Sequence, residues 1–151
     1  MTKEAQIKEL VKEWLKKAKE DLITAQTLLD SPKERLEFLT SAIGFHSQQC
    51  VEKCLKSFLI HKQIDFRRSH DINYLLNLCK EETNKFEIVR EDANFLNDYA
   101  VNTRYPGSYS SFSINESKKV VKLAHQVFEL AETVATEMLE IENKDGFNLN
   151  H

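Results

Sequence analysis

The chain has 151 residues, with 21 Lys+Arg against 24 Asp+Glu, a formal net charge of -3, 41% hydrophobic and 30% charged residues. That length suits one domain with a sizeable core, and the mildly acidic balance excludes a nucleic-acid footprint over the whole molecule, though not a local one. Three glycines and two prolines are too few for a loop-rich sandwich or a glycine-rich phosphate loop, so Walker, Rossmann and all-β readings give way to helices.

Helix one covers about 4–29: Ile7, Leu10, Val11, Trp14, Ala18, Leu22, Ala25 and Leu29 advance by threes and fours into one apolar stripe. Ser31-Pro32-Lys33-Glu34 opens helix two, with Ser as N-cap, Pro at the first position and Glu three residues after the cap. This helix continues to about His61 and is apolar on more than one side, with Leu36, Leu39, Ile43, Cys50, Cys54 and Phe58 on one and Phe38, Ala42, Phe45, Leu55 and Leu59 around it. Such a helix is central or sits in a subunit interface. After a polar connection over 63–69, Ser69 or Asp71 starts helix three with Ile72, Leu75, Leu76 and Cys79. Asn84 and Glu87 resemble the next cap, and Phe86, Val89, Ala93, Leu96 and Ala100 stripe helix four. Pro106 stops that helix near Thr103, because the residue before a proline avoids helical geometry. A Ser/Tyr loop over 107–112 leads to Ser113 and Glu116, a capping-box pattern for a last helix striped by Ile114, Val121, Ala124, Phe128, Ala131, Ala135 and Met138.

The pattern predicts an all-α, up-and-down antiparallel helical bundle of four long helices plus one short helix, over residues 1–142, with a frayed C-terminal tail at 143–151. No apolar run approaches the roughly 20 residues that a bilayer span needs, and the opening MTKEAQIKEL has no signal-peptide pattern. Cys50, Cys54 and Cys79, an odd set inside predicted helices, suggest reduced thiols and a cytoplasmic location.

The most unusual segment is YAVNTRYPGSY, from Tyr99 to Tyr109. It sets Arg104 at a helix C-terminus between Tyr105 and Tyr109, before a Pro-Gly turn and several serines. A guanidinium fork with neutral hydroxyl donors suits phosphate; the same Arg serves equally as a cap on terminal carbonyls. Gln48, Gln49, Glu52 and Lys53 read either as a solvated stripe, with Glu52 and Lys56 an i, i+4 pair, or as a hydrogen-bond network near the bundle centre. Arg67-Arg68-Ser69-His70 forms either a solvated basic turn or one wall of a phosphate site at a helix N-terminus. His46, Cys50 and Cys54 lie in line on one helix face, which leaves a tetrahedral metal site unclosed; neither a metal nor a cofactor is expected. No Ser, Cys or His set suggests nucleophilic catalysis.

FHSQQCVEKCLKSFLIHKQ (Phe45–Gln63), SHDINYLLNLC (Ser69–Cys79) and LNDYAVNTRYPGSY (Leu96–Tyr109) resemble, in this order, the HEPN domains of higher eukaryotes and prokaryotes. The likeness runs from Trp14 to the last helix, and its most specific marks are the RYPG segment and the QQxxEKxLK helix. The resemblance implies an all-α bundle that forms a homodimer, binds a nucleotide and often works beside a minimal nucleotidyltransferase. In other members the domain is a metal-independent ribonuclease toxin with an R-x(4–6)-H motif. Here Arg104 matches the Arg, but Tyr109 stands at R-x4-Y and no His follows in range. A tyrosine with an ordinary pKa near 10 shuttles protons poorly at neutral pH.

The resemblance therefore implies a non-catalytic binding member: a homodimer taking an ATP- or GTP-like ligand, as partner subunit of a minimal nucleotidyltransferase in a toxin-antitoxin-like pair. Arg104, Tyr105 and Tyr109 are its foremost ligand-binding candidates, followed by Lys53, Gln49 and His70. RNA is a less favoured ligand, and no membrane is involved. The alternatives are a ribonuclease toxin using Arg104 and a spatially supplied His70, and a purely structural interaction dimer.

Overall fold

The computed structural model describes residues 1–101 and 112–148, which lie in helices and the segments joining them, with no strand among the described residues. Helix α1 spans Lys3–Leu29 and starts at Thr2, whose hydroxyl accepts from the Ala5 amide at 3.1 Å. Its expected stripe is buried at Val11, Ala18, Leu22 and Ala25, whereas Leu10 is left exposed at the edge.

The expected second helix is divided into α2, a single turn at Lys33–Leu36, and α3, Thr40–His61. Pro32 rather than Ser31 occupies the N-cap of α2, and no side chain closes it. Between the two, the Phe38 and Leu39 amides donate three residues back, to the Arg35 and Leu36 carbonyls, at 3.0 Å each. The break has a packing cause. Asp21 of α1 meets His46 of α3, so in an antiparallel pair the end of α1 lies level with the start of α3. An unbroken helix from residue 33 would project past that end; folded back, Leu36 joins Ala25, Ile43 and Val121 in one cluster. Phe38 is left 78% exposed at the corner.

Both predicted starters act at α4, Ile72–Lys80: Asp71 caps it by accepting from the Asn73 amide, and the Ser69 hydroxyl accepts from the Asp71 amide. Helix four opens as a 3-10 segment, Lys85–Asp92, and becomes α5 over Ala93–Val101. Phe86, Val89, Ala93 and Leu96 are all buried, so the stripe holds across the change of hydrogen bonding. Its expected stop near Thr103 lies outside the described residues. Helix α6 covers Ile114–Asn148, reaching into the segment read as a tail, and its Glu116 amide donates to the Ser113 hydroxyl at 3.0 Å.

The four main helices run α1 up, α3 down, α5 up and α6 down. Gln26 meets His125 across α1 and α6, while Asp71 and Asn73 meet Asn97 and Asn94 across α4 and α5. Helix α3 is central, packed by α1, α4, α5 and α6, which accounts for its apolar residues all round. Close to its start, Gly44 lies under the Tyr99 ring of α5, where a β-carbon would overlap the ring atoms. Tyr99 also stacks on Phe112, ring centroids 3.5 Å apart, so the chain leaving α5 and the chain entering α6 meet there.

Candidate functional site

One stripe of the central helix is polar yet buried. Gln48 is 0% exposed, Glu52 3% and Lys56 6%. Burying such groups is costly unless each finds a partner, and each does. Gln49 Nε2 donates to Gln48 Oε1 at 2.8 Å, and Gln48 Nε2 reaches the His70 carbonyl at 3.4 Å. His70 Nδ1 lies 2.7 Å from Glu52 Oε1, and Lys56 Nζ is 3.8 Å from the same oxygen. Lys56 also lies 5.7 Å from the Trp14 ring and 5.9 Å from the Phe66 ring, cation–π contacts that offset part of its desolvation. The solvated reading of this stripe is thus overturned: the i, i+4 pair of Glu52 and Lys56 is present, but inside.

A second group adjoins it. Asp21, 9% exposed on α1, receives Lys53 Nζ at 2.5 Å on Oδ2 and His46 Nδ1 at 2.9 Å on Oδ1. Gln49 and Lys53, four apart on α3, share a helix face and join the two groups into one seam. Its two carboxylates and two ammoniums cancel, so attraction for an anion comes from what surrounds it.

The His70–Glu52 contact has a chemical consequence. A carboxylate oxygen accepts here, so the Nδ1 side of the His70 ring is turned in to donate to Glu52 and the Nε2 side is turned away from it. Its side chain is 69% exposed while Glu52 is 3% exposed: a buried carboxylate orients an outward imidazole. The segment that supplies it is held by the α4 cap, since Asn97 Oδ1 accepts from the Ile72 amide at 2.9 Å and Asn97 Nδ2 donates to Asp71.

Of the residues expected at the site, the structure brings Gln49, Lys53 and His70 to this seam. Arg104, Tyr105 and Tyr109 lie outside the described residues; the chain enters that stretch from α5, whose Asn97 bonds the cap beside His70. Sequence reasoning missed Asp21, though a signal existed: it is a charged residue set among Ala18, Leu22 and Ala25 of the apolar stripe. His46, Cys50 and Cys54 do not converge, and among the described residues no group of three or more His, Cys, Asp or Glu could hold a metal. Cys50, Cys54 and Cys79 are free buried thiols. A cleft of about 400 Å³ lined by Leu22, Ile23, Gln26, His125 and Phe128 lies between α1 and α6, away from the seam.

A profile of the family described as HEPN domain matches residues 11–134, which contain the whole seam. Comparison with curated proteins finds no match. Among solved structures, the crystal structure of an archaeal HEPN homologue is similar, with a TM-score of 0.64 and 24% identity over 83% of this chain and 97% of that one. At that identity the likeness speaks to the fold.

Proposed function

This chain belongs to the HEPN domain family, and from that premise we propose that it is a non-catalytic nucleotide-binding module, working as a homodimer and as partner of a minimal nucleotidyltransferase in a toxin-antitoxin-like pair. The observation that carries the reading is the seam: Gln49, Lys53 and His70, which come from two separated stretches of sequence, are gathered on one side of α3, and its balanced charges leave the attraction for a phosphate chain to the basic residues beyond it. The family resemblance makes Arg104 the candidate guanidinium for that phosphate, with Tyr105 and Tyr109 the other foremost ligand candidates. The three free thiols fit a reducing compartment such as the cytoplasm. No described helix is long and apolar enough to cross a membrane.

The test is calorimetric titration of ATP and GTP into the wild-type chain, Arg104→Ala and Lys53→Ala. Binding in the wild type, weakened by each substitution by the roughly 1.5–3 kcal/mol of a charge-assisted hydrogen bond, is the expected result. Absence of binding to the wild type would leave a purely structural interaction dimer as the better account.

One observation favours a second reading, a ribonuclease toxin with Arg104 and His70 as the acid–base pair. Glu52 turns the Nδ1 side of His70 inward and leaves Nε2 outward, the arrangement a general base requires. Purified protein would then cleave RNA, His70→Ala would abolish the cleavage and Glu52→Gln would slow it. An inert wild type retires this reading.

A further inference from the structure

We propose that the stacked pair Arg67–Tyr74 is a platform for a nucleobase, so that the seam takes a nucleotide in preference to a bare phosphate chain; this rests on the nucleotide-binding reading above. Tyr74 holds Arg67 twice. Its hydroxyl accepts from the Arg67 amide at 3.0 Å, and its ring lies 4.1 Å from the guanidinium carbon. Tyr74 is half-buried on α4, whereas Arg67 is exposed. The guanidinium is therefore held over the ring at the surface by two contacts to one tyrosine, so a flat ligand meets a cation part of whose entropy of ordering was lost on folding.

Among the described residues nothing else uses that cation. Among the described residues no carboxylate forms an ion pair with Arg67 or Arg68, and the adjacent Asp71 is committed to the Asn73 amide and to Asn97 Nδ2. His70, four residues before Tyr74, is fixed by Glu52 and bonded through its carbonyl to Gln48. Residues 67–74 thus offer a planar cation for a base three residues from His70, the exposed imidazole of the seam. Stacking on a guanidinium depends little on which base is present, so ATP and GTP should bind alike.

The experiment titrates ATP, GTP and inorganic tripolyphosphate calorimetrically into the full chain as wild type, Arg67→Lys and Arg67→Ala, with circular dichroism to verify folding. Arg67→Lys keeps the charge and removes the plane. The expected result is that both nucleotides bind the wild type more tightly than tripolyphosphate, and that Arg67→Lys weakens the nucleotides by roughly five- to hundredfold while tripolyphosphate is unchanged. Equal weakening of all three ligands, or nucleotide affinity that Arg67→Ala leaves unaltered, overturns the platform. Tripolyphosphate binding as tightly as ATP overturns it too, yet leaves the phosphate site standing. Failure of every ligand to bind the wild type overturns the nucleotide-binding reading itself.

Discussion

Gly44 has no β-carbon, and that lets the Tyr99 ring lie directly on the central helix. Tyr99 in turn stacks on Phe112 and meets Phe95 edge-on, so one missing methyl supports an aromatic cluster between α5 and the start of α6. Gly44→Ala must push the ring and its stack aside. Overpacking of this kind costs about 1–3 kcal/mol, and we expect the urea midpoint to fall accordingly; an unchanged midpoint would mean that the ring gives way freely. The buried seam shows a different limit on single residues. Glu52 and Lys56 have the spacing of an ordinary surface pair, and the same spacing serves inside the bundle. Whether such a pair faces water depends on what packs over it, which the helix itself does not encode. Losing one partner of a buried pair is expensive because the other charge stays inside unpaired.

Elements were more legible than residues, since caps and periodicity are local. Asp71 and Ser69 both serve the start of α4, Ser113 caps α6, and most of the described stripe residues are buried or half-buried, Leu10 excepted. Two misreadings share a cause. The break between α2 and α3 and the 3-10 opening of α5 both sit where chain direction must be reconciled with neighbours. At the first, the end of α1 leaves no partner for a straight continuation. At the second, Phe86 and Val89 keep their burial while hydrogen bonding shifts to the tighter pattern. Hydrophobic periodicity reports which residues go inward, and it is nearly blind to a shift between three and four residues per hydrogen bond.

The whole molecule shares one main core, in which Cys50, Cys54, Cys79 and Tyr99 all take part. Burial pushes the Cys79 thiol up to about 12. A hydrogen bond donated by the Cys54 thiol to Cys50, together with burial, raises Cys54, and burial with the nearby Glu116 charge raises Tyr99. These acids stay protonated in the fold and ionise at ordinary values, about 8.5 for thiols and 10 for tyrosine, once unfolded. Their contribution to stability is therefore complete below about pH 8.5 and is lost as pH rises towards the folded values. Urea midpoints near pH 8 and pH 10 should show a loss on the order of 1 kcal/mol or more at the higher pH. An equal midpoint at both would show that the thiols already ionise in the folded chain.

What the sequence determined by itself is the helical class, the order of the main helices, the caps of α4 and α6 and the family, all carried by signals within a few turns of chain. Lys53, Gln49 and His70 were recognisable as candidates by residue type and surroundings; Arg104, Tyr105 and Tyr109, equally recognisable, lie outside the described residues. Only the tertiary structure decided the partners. Asp21 meets His46 and Lys53 across 25 and 32 residues, and Glu52 meets His70 across 18. No helical repeat relates such positions, and only the antiparallel packing of α1 on α3 and the return of the chain into α4 set those charges against one another. The seam exists because burial left Asp21, Gln48, Glu52 and Lys56 little solvent to turn to.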